Sequence, residues 1–428
     1  MSEKSYRGPK GTYDVFPGDA TRQEPHERPD LWEWFSEISR DHFRRYNFHE
    51  VRTPDFEEAG LYRRSSGETS DVVTKEMFEF TDKGGRDLAL RPEGTPGAVR
   101  AYIQHGMHKL AQPVKMWYFG PMFRHERQQK GRYRQHTQIG AEILGSDDPL
   151  VDVEAIALLY GIHQAVGVRE EVVHINNLGD AATREKYVPE LRAYLDKNQA
   201  DLDPDSVARI ERNPMRTFDS KDKNTQAVMA EAPLVGEFLS DDATAHLETV
   251  KEGLAAVGVP FVVDGRLVRG LDYYTSTVFE AKSPVLGAQD TVGAGGRYNR
   301  LVEDLGGPDM PGIGFGSGVE RILLAASERE PSSSLDVYFI TLAPEARMAA
   351  FALASELRSE GVSCDLDYAQ RSAKGQFKQA DRSDARFAVV IGEDEMREGV
   401  CTVRDMSKGD ETKVPLDDSK SLLRAVAG

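Results

Sequence analysis

Phe123-Arg124-His125-Glu126-Arg127-Gln128-Gln129-Lys130-Gly131-Arg132-Tyr133-Arg134-Gln135 is the stretch on which the fold turns. Five of these residues are lysine or arginine, yet the sequence on both sides reads as buried strand. Val114-Lys115-Met116-Trp117-Tyr118-Phe119 precedes it, and His136-Thr137-Gln138-Ile139-Gly140-Ala141-Glu142-Ile143 follows. Alternation in both runs is partial, which suits largely buried strands with polar side chains facing a site. A charged hairpin between such strands is either a solvated turn or a polyphosphate site. Arginine suits the second because its guanidinium is always charged and offers paired planar donors. Gln138 and Glu142 on the following strand weigh toward a site.

Working outward, a helix begins at Pro29-Asp30, with Leu31, Phe35, Ile38 and His42 on one stripe beside Trp32 and Phe43, and stops near Tyr46-Asn47. The extended stretch 48–52 follows and ends at Thr53-Pro54, where proline removes a ladder donor. Leu88-Ala89-Leu90-Arg91 reads as a further strand. From Ala181 to about Gly258 the sequence turns charged and helix-favouring, broken at Asp203-Pro204 and Asn213-Pro214, and reads as a mostly helical insertion. Strands return at 261–263 and 277–280, and a glycine-rich stretch leads into a helix over 319–327. Pro331-Ser332-Ser333-Ser334 has the composition of a linker. Beyond it the order is strand 336–341, helix 344–359, strand 363–366, helix 373–383 and strand 387–391. That βαβαβ rhythm predicts a small separate domain with a largely parallel sheet.

Two more clusters carry chemistry. In Leu267-Val268-Arg269-Gly270-Leu271-Asp272-Tyr273-Tyr274, an arginine in an apolar strand context needs a partner or a bound anion, and an Arg269–Asp272 ion pair is the plain structural alternative. Gly312-Ile313-Gly314-Phe315-Gly316-Ser317-Gly318-Val319-Glu320-Arg321 fits neither G-x-G-x-x-G nor the Walker pattern. Alternate glycines suit a strand pressed against a flat ligand or another backbone. Arg321 then falls at a helix start, an unfavourable place for a cation without an anion nearby. His105 and His108 find no further ligands, so no metal site can be assigned. No serine sits in a G-x-S-x-G elbow.

The bulk numbers bound these readings. With 428 residues, 39% hydrophobic and 29% charged, the chain has material for two or three domains. No apolar run is long enough to span a bilayer, and the polar start carries no signal core. Two cysteines, Cys364 and Cys401, cannot staple a framework, which fits a reducing cytoplasmic setting. A net charge of -17 repels phosphate at long range and argues against non-specific nucleic-acid binding. The acidity fits either adaptation to high salt or an acidic protein of an ordinary cytoplasm.

The three clusters, in this order, resemble the three motifs of class II aminoacyl-tRNA synthetases. The Arg269 cluster and Pro9-Lys10-Gly11-Thr12-Tyr13-Asp14 narrow the resemblance to the histidyl-tRNA synthetase family. The likeness runs from about Arg7 into the C-terminal domain, where Arg371-Ser372-Ala373-Lys374-Gly375-Gln376 and Ile391-Gly392-Glu393-Asp394-Glu395 resemble the family's anticodon-binding domain. It implies an α+β catalytic core over 1–330, with a mainly antiparallel sheet flanked by helices and the helical insertion at 181–258. An α/β anticodon-binding domain over 335–428 and a homodimer are implied too, the helix-strand unit ending at Pro54 matching motif 1 at the family's dimer interface. The implied substrates are L-histidine, ATP, with magnesium accompanying it, and tRNA(His).

The resemblance also implies roles. Arg124 would bridge the histidine carboxylate and the α-phosphate, Glu126 would meet the adenine amine, and Arg132 and Arg321 would hold the outer phosphates. Arg269 matches the family's catalytic arginine. The loop Arg91-Pro92-Glu93-Gly94-Thr95 and Gln138 would surround the α-amino group, and Glu142 and Tyr274, with Tyr273 adjoining, would pair the imidazole nitrogens. A pocket that pairs both nitrogens rejects isosteres lacking them. Gly293-Ala294-Gly295-Gly296-Arg297-Tyr298 resembles a pocket-wall loop. Two positions depart from the family: His136 stands where phenylalanine usually meets the adenine, and Asn299 where aspartate is common. The rival readings are a non-catalytic regulatory subunit of histidine biosynthesis, which commonly lacks the third domain and the ATP-site arginines, and a ligase that adenylates an amino acid without tRNA.

Overall fold

The computed structural model describes residues 6–18, 21–67, 70–126, 129, 131–327 and 335–426. The linker 331–334 and Arg127, Gln128 and Lys130 of the basic hairpin lie outside the described residues. The chain divides into two compact units, Met1–Glu328 and Arg329–Gly428.

In the first unit the chain runs through α1 (Pro29–Arg45), β1 (His49–Glu50), β2 (Phe56–Glu58), α2 (Ala59–Ser66), β3 (Glu79–Thr81), β4 (Asp87–Leu90) and α3 (Thr95–Gln104). The hairpin strands β5 (Val114–Phe123) and β6 (Gln135–Leu144) follow, then α4 (Pro149–Ala165) and β7 (Val172–Asn177). A helical stretch comes next, with α5 (Ala181–Lys197), α6 (Pro204–Arg209), α7 (Lys223–Ala230) and α8 (Asp241–Ala256). The unit closes with β8 (Phe261–Val263), β9 (Thr277–Lys282), β10 (Thr291–Arg297), α9 (Leu301–Asp304), β11 (Gly312–Gly318) and α10 (Val319–Ala325).

Eight strands form one sheet in the order β1-β5-β6-β11-β10-β9-β7-β8, and β2-β4-β3 form a small separate one. Only the outermost pairs of the large sheet, β1 with β5 and β7 with β8, are parallel. The sheet is therefore mainly antiparallel, as expected. The stretch Gly293 to Tyr298, expected as a loop, is mostly strand: β10 pairs with β9 on one side and β11 on the other. Glycines read as loop from composition, but between two long neighbours the backbone gains both ladders and is held as strand. Residues 264–276, expected as strand around Arg269, instead form an irregular connection between β8 and β9.

Period-two alternation divides the sheet's work. From β6, Ile139, Ala141 and Ile143 enter one core with Leu31, Phe35 and Phe43 of α1, Ile156, Leu159 and Ile162 of α4, and Ile322 of α10. Pro29 opens α1, and the Phe43 ring stacks on Trp117 of β5 at 4.5 Å. The opposite face shares a second core with α3 and with Tyr187, Leu191 and Leu195 of α5, Met215 and Met229. The helical stretch is thus built into the unit's core. A buried ion pair, Arg297 Nε to Asp152 of α4 at 2.7 Å, ties the end of β10 to that helix. His246 of α8 and Thr277 of β9 reach the other Asp152 oxygen at 2.6 Å each. Removing one partner of such a pair costs about 3–5 kcal/mol because the other charge stays buried.

The second unit runs β12 (Leu335–Thr341), α11 (Ala346–Ser359), β13 (Cys364–Leu366), α12 (Ala373–Arg382), β14 (Ala385–Ile391), α13 (Glu393–Glu398), β15 (Val400–Asp405), β16 (Glu411–Pro415) and α14 (Ser419–Val426). Its sheet order is β13-β12-β14-β15-β16. The first three strands are parallel as the βαβαβ rhythm requires, but β15 and β16 extend the sheet as an antiparallel hairpin. The expectation of a largely parallel sheet is corrected to a mixed one. Both cysteines are buried and unbridged.

Candidate functional site

The side of β6 that turns from the first core carries His136, Gln138, Gly140 and Glu142 in alternate positions. Register places Tyr118 of β5 opposite Gly140, and Gly314 and Gly318 of β11 opposite Glu142 and Gln138. A cleft of about 220 Å³ opens along this face, lined by Arg124, Glu126, Arg132, His136, Gln138, Arg269 and Arg321 among others. Every residue expected to meet ATP is in that lining. Four residues of the lining, Arg124, Arg132, Arg269 and Arg321, are arginines, and each is held differently.

Arg124 donates from Nε to the Pro92 carbonyl at 2.8 Å, joining the hairpin to the 91–95 loop. Arg132 bonds Glu126 at 2.8 Å, and Arg124 lies 3.9 Å from the same carboxylate. Burial works against the Glu126 charge, but Arg124 and Arg132 outweigh it and hold its carboxyl below the usual range. Arg321 sits in the first turn of α10 and donates from Nε to the Thr291 carbonyl at 2.8 Å. Burial, and next Arg132, lower its pKa to about 10. A desolvated cation beside another cation is a position that an anion would relieve. Burial and Arg124 push His136 down to about 4, so its imidazole is neutral.

Arg269 does not pair with Asp272. It bonds Glu280 of β9, whose second oxygen accepts from Thr291 Oγ1 at 3.2 Å. Burial opposes the arginine's charge, but Glu280, Tyr274 and Asp219 together raise its pKa above the ordinary value. Asp272 accepts instead from Asn213 at 2.8 Å.

Beneath the cleft lies a buried polar floor. Arg91 anchors the 91–95 loop by donating to the Pro121 carbonyl at 2.7 Å and the Thr53 carbonyl at 3.1 Å. Glu93, 5% exposed, accepts from Ser66 at 2.6 Å and from Tyr273 at 2.7 Å. Glu142 is fully buried, accepts from Thr95 at 2.7 Å, and is bonded by the Tyr298 hydroxyl. Burial pushes the Glu142 carboxyl up to about 8, against its hydrogen bonds to Tyr298 and Thr95. The Tyr273 and Tyr274 rings lie 4.6 Å apart. A Cβ on Gly94 would stand 2.3 Å from the Tyr118 ring, and one on Gly314 would stand 1.9 Å from Glu142. Gly314 therefore makes room for a side chain rather than a ligand, and only Gly316 and Gly318 of that strand line the cleft.

The structure thus brings Glu93, Gly94, Thr95, Glu142, Tyr273 and Tyr274 together below the arginine-lined cleft, with Arg124, Gln138 and Arg269 at the junction. Sequence reasoning missed Ser66, Tyr118, Glu280 and the contact of Tyr298 with Glu142. Glu280 carried a signal, a charge ending the apolar run Thr277-Val278-Phe279, but its partner was not legible. The opening motif braces the hairpin. Tyr13 bonds Glu320 of α10, which also accepts from the Thr137 amide at 2.7 Å. Tyr13, His26 and Tyr133 pack as a ring cluster with centroids 4.7–4.8 Å apart. That cluster fixes one side of the hairpin.

A histidyl-tRNA synthetase family profile matches residues 26–322, and an anticodon binding domain profile matches residues 336–425. A histidine--tRNA ligase of Rubrobacter xylanophilus is 72% identical over 99% of this chain and 100% of its own. One from Natranaerobius thermophilus is 42% identical over 99% of each. The apo crystal structure of S. aureus histidyl-tRNA synthetase superposes with a TM-score of 0.82 at 35% identity, covering 99% of this chain and 100% of that one.

Proposed function

The chain belongs to the histidyl-tRNA synthetase family, and on that premise we propose that it activates L-histidine with ATP and transfers it to tRNA(His). The observation that carries the reading is the junction of two chemistries: an arginine-lined cleft above a buried floor of Glu93, Glu142, Tyr273 and Tyr274. In this reading Glu93, Gly94, Thr95 and Gln138 receive the α-amino end of histidine, and Glu142 and Tyr274 pair its ring nitrogens. The histidine carboxylate attacks the α-phosphate in line and pyrophosphate leaves.

Positioning and charge stabilisation suffice for such a step. Arg124 aligns carboxylate and phosphate, and Arg269 stabilises the charge developing at phosphorus. Glu126 and His136 face the adenine, while Arg132 and Arg321 take the outer phosphates. A ribose hydroxyl of the tRNA's 3′-terminal adenosine then attacks the adenylate's carbonyl carbon, forming the ester as the anhydride bond to phosphate breaks and AMP leaves.

Among the described residues no three His, Cys, Asp or Glu side chains are grouped to hold a metal. Glu126 and Glu280 are already paired with arginine. These residues do not fit a resident ion, so magnesium enters only as the companion of ATP's phosphates.

The unit 1–330 is read as the catalytic core, 181–258 as its helical insertion, and 335–428 as the anticodon-binding domain. A cytoplasmic homodimer is part of the proposal. The exposed rings of Phe56 and Phe80, 51% and 43% accessible on the small sheet, support a surface that a second copy covers. No helix among the described residues is long and apolar enough to cross a membrane. The regulatory-subunit reading is not favoured, because Arg124, Arg269 and Arg321 are all present and the full-length relatives are ligases. Charging assays with labelled amino acids test the proposal. Histidine alone should enter acid-stable linkage to tRNA(His), and charging with another amino acid, or none, would overturn it.

A further inference from the structure

Residues 264–276 carry Arg269, Tyr273 and Tyr274 but belong to no helix or strand. A segment without a ladder must find partners for its carbonyls elsewhere and be ordered from outside. At its start, Asn176 of β7 donates to the Gly265 and Leu267 carbonyls at 3.3 and 2.9 Å. From Gly270 onward the side-chain donors come from the helical stretch. Arg216, 7% exposed, donates to the Gly270 carbonyl at 2.5 Å. Arg184 of α5 donates to the carbonyls of Tyr274 and Thr275 at 2.9 and 3.0 Å. Asn213 holds the Asp272 carboxylate at 2.8 Å, and Arg216 stands 3.8 Å from it.

These contacts bracket the reactive side chains. The Gly270 carbonyl belongs to the residue after Arg269, and the Tyr274 carbonyl to one of the pair of tyrosines on the floor. The Asp272 amide also reaches the Ser66 carbonyl, at 3.4 Å, and Ser66 is the residue whose hydroxyl holds Glu93. The helical stretch is thus linked to the catalytic arginine, the floor tyrosines and the Glu93 support through one segment. None of Arg184, Asn213 and Arg216 lines the arginine-rich cleft.

We propose that Arg184, Asn213 and Arg216 are positioning residues for histidine activation, so that the helical stretch works in the first half-reaction, before any tRNA binds. The inference rests on the functional reading above. Misplacing a reacting group by about 1 Å can cost on the order of a hundredfold in rate. A planar guanidinium donating to fixed carbonyls is suited to prevent such a shift, and an ammonium can replace only part of it.

The test uses the full chain and its R216Q, R216K and R184Q variants. Histidine-dependent exchange of pyrophosphate into ATP is measured without tRNA, alongside the thermal midpoint and tRNA affinity. R216Q should lose about tenfold or more in exchange kcat, with KM for histidine raised and KM for ATP little changed. R216K should fall between it and the parent, and R184Q should raise KM for histidine. Midpoints and tRNA affinity should stay near those of the parent. Unchanged exchange in R216Q and R184Q would overturn the inference. So would losses that follow the folded fraction, or that raise both KM values alike, since those mark a merely structural role. A parent chain without histidine-dependent exchange overturns the functional reading, and the inference with it.

Discussion

At the scale of single residues, the proposed chemistry turns on Arg269 and Glu142. Arg269 is bonded to Glu280 and its pKa is raised, so it offers a fixed positive charge at the cleft. Replacing it with histidine should lower the adenylation rate about a hundredfold or more, the size expected for one transition-state donor, and disturb KM for histidine far less. Single-turnover quenching with labelled ATP measures the rate, and an unchanged rate would refute the role. Glu142 gives a pH signature. Its carboxyl ionises near pH 8 in the free protein and in the ordinary carboxylate range when unfolded. Between those values the unfolded chain holds fewer protons than the folded one, so this residue makes stability fall as pH rises. The E142Q chain should lack that contribution, and its thermal midpoint should gain on the parent's from pH 5 to pH 8. Parallel curves would contradict the assignment.

Much of the site could be read from the sequence because a polar residue in an apolar strand stands out, as Gln138 and Glu142 do. What could not be read is pairing across the sheet. The Tyr298–Glu142 contact depends on register between strands distant in sequence, and the Arg269–Glu280 bond reaches from the irregular segment 264–276 to β9. A pair between Arg269 and Asp272 is the economical reading of the sequence, since near neighbours are the pairs a sequence displays.

At the scale of elements, long periodic segments were legible. The helix from Pro29, the hairpin strands and the first three strands of the second unit fall where the pattern put them, within the few residues by which helix and strand ends vary. The failures share a cause. Gly293 to Tyr298 becomes strand, and 264–276 loses its strand character, because neighbouring ladders and side-chain donors override local propensity. The β15–β16 hairpin escaped notice because Glu411-Thr412-Lys413 is polar and only Val414 of β16 is buried. The opening motif supplies a prediction at this scale. Tyr13 bonds Glu320, whose pKa burial raises to about 7, and Glu320 also holds the first turn of the returning strand through Thr137. Replacing Tyr13 with phenylalanine leaves the ring cluster in place and removes that one donor. KM for ATP should rise severalfold, with KM for histidine unaffected. Steady-state exchange kinetics decide this, and equal changes in both constants would contradict the picture.

At the scale of the molecule, two compact units each possess their own core. A chain ending at Ser327 should therefore fold and retain histidine-dependent exchange, while KM for tRNA in the charging reaction rises by at least tenfold. Loss of exchange on truncation would show that the second unit supports the first. The net charge of -17 makes the local concentration of arginines in the cleft the more significant. An acidic body repels polyphosphate at a distance and binds it only where geometry concentrates the opposite charge.

The central claim is that the arginine-lined cleft and the buried polar floor form one histidine-activating site. The most direct measurement is exchange of pyrophosphate into ATP by the intact chain, with each of the twenty amino acids in turn, at low and high potassium chloride. Exchange that depends on histidine alone is the predicted result. Folded protein that supports no exchange at any salt, or exchange driven by another amino acid, would contradict the account.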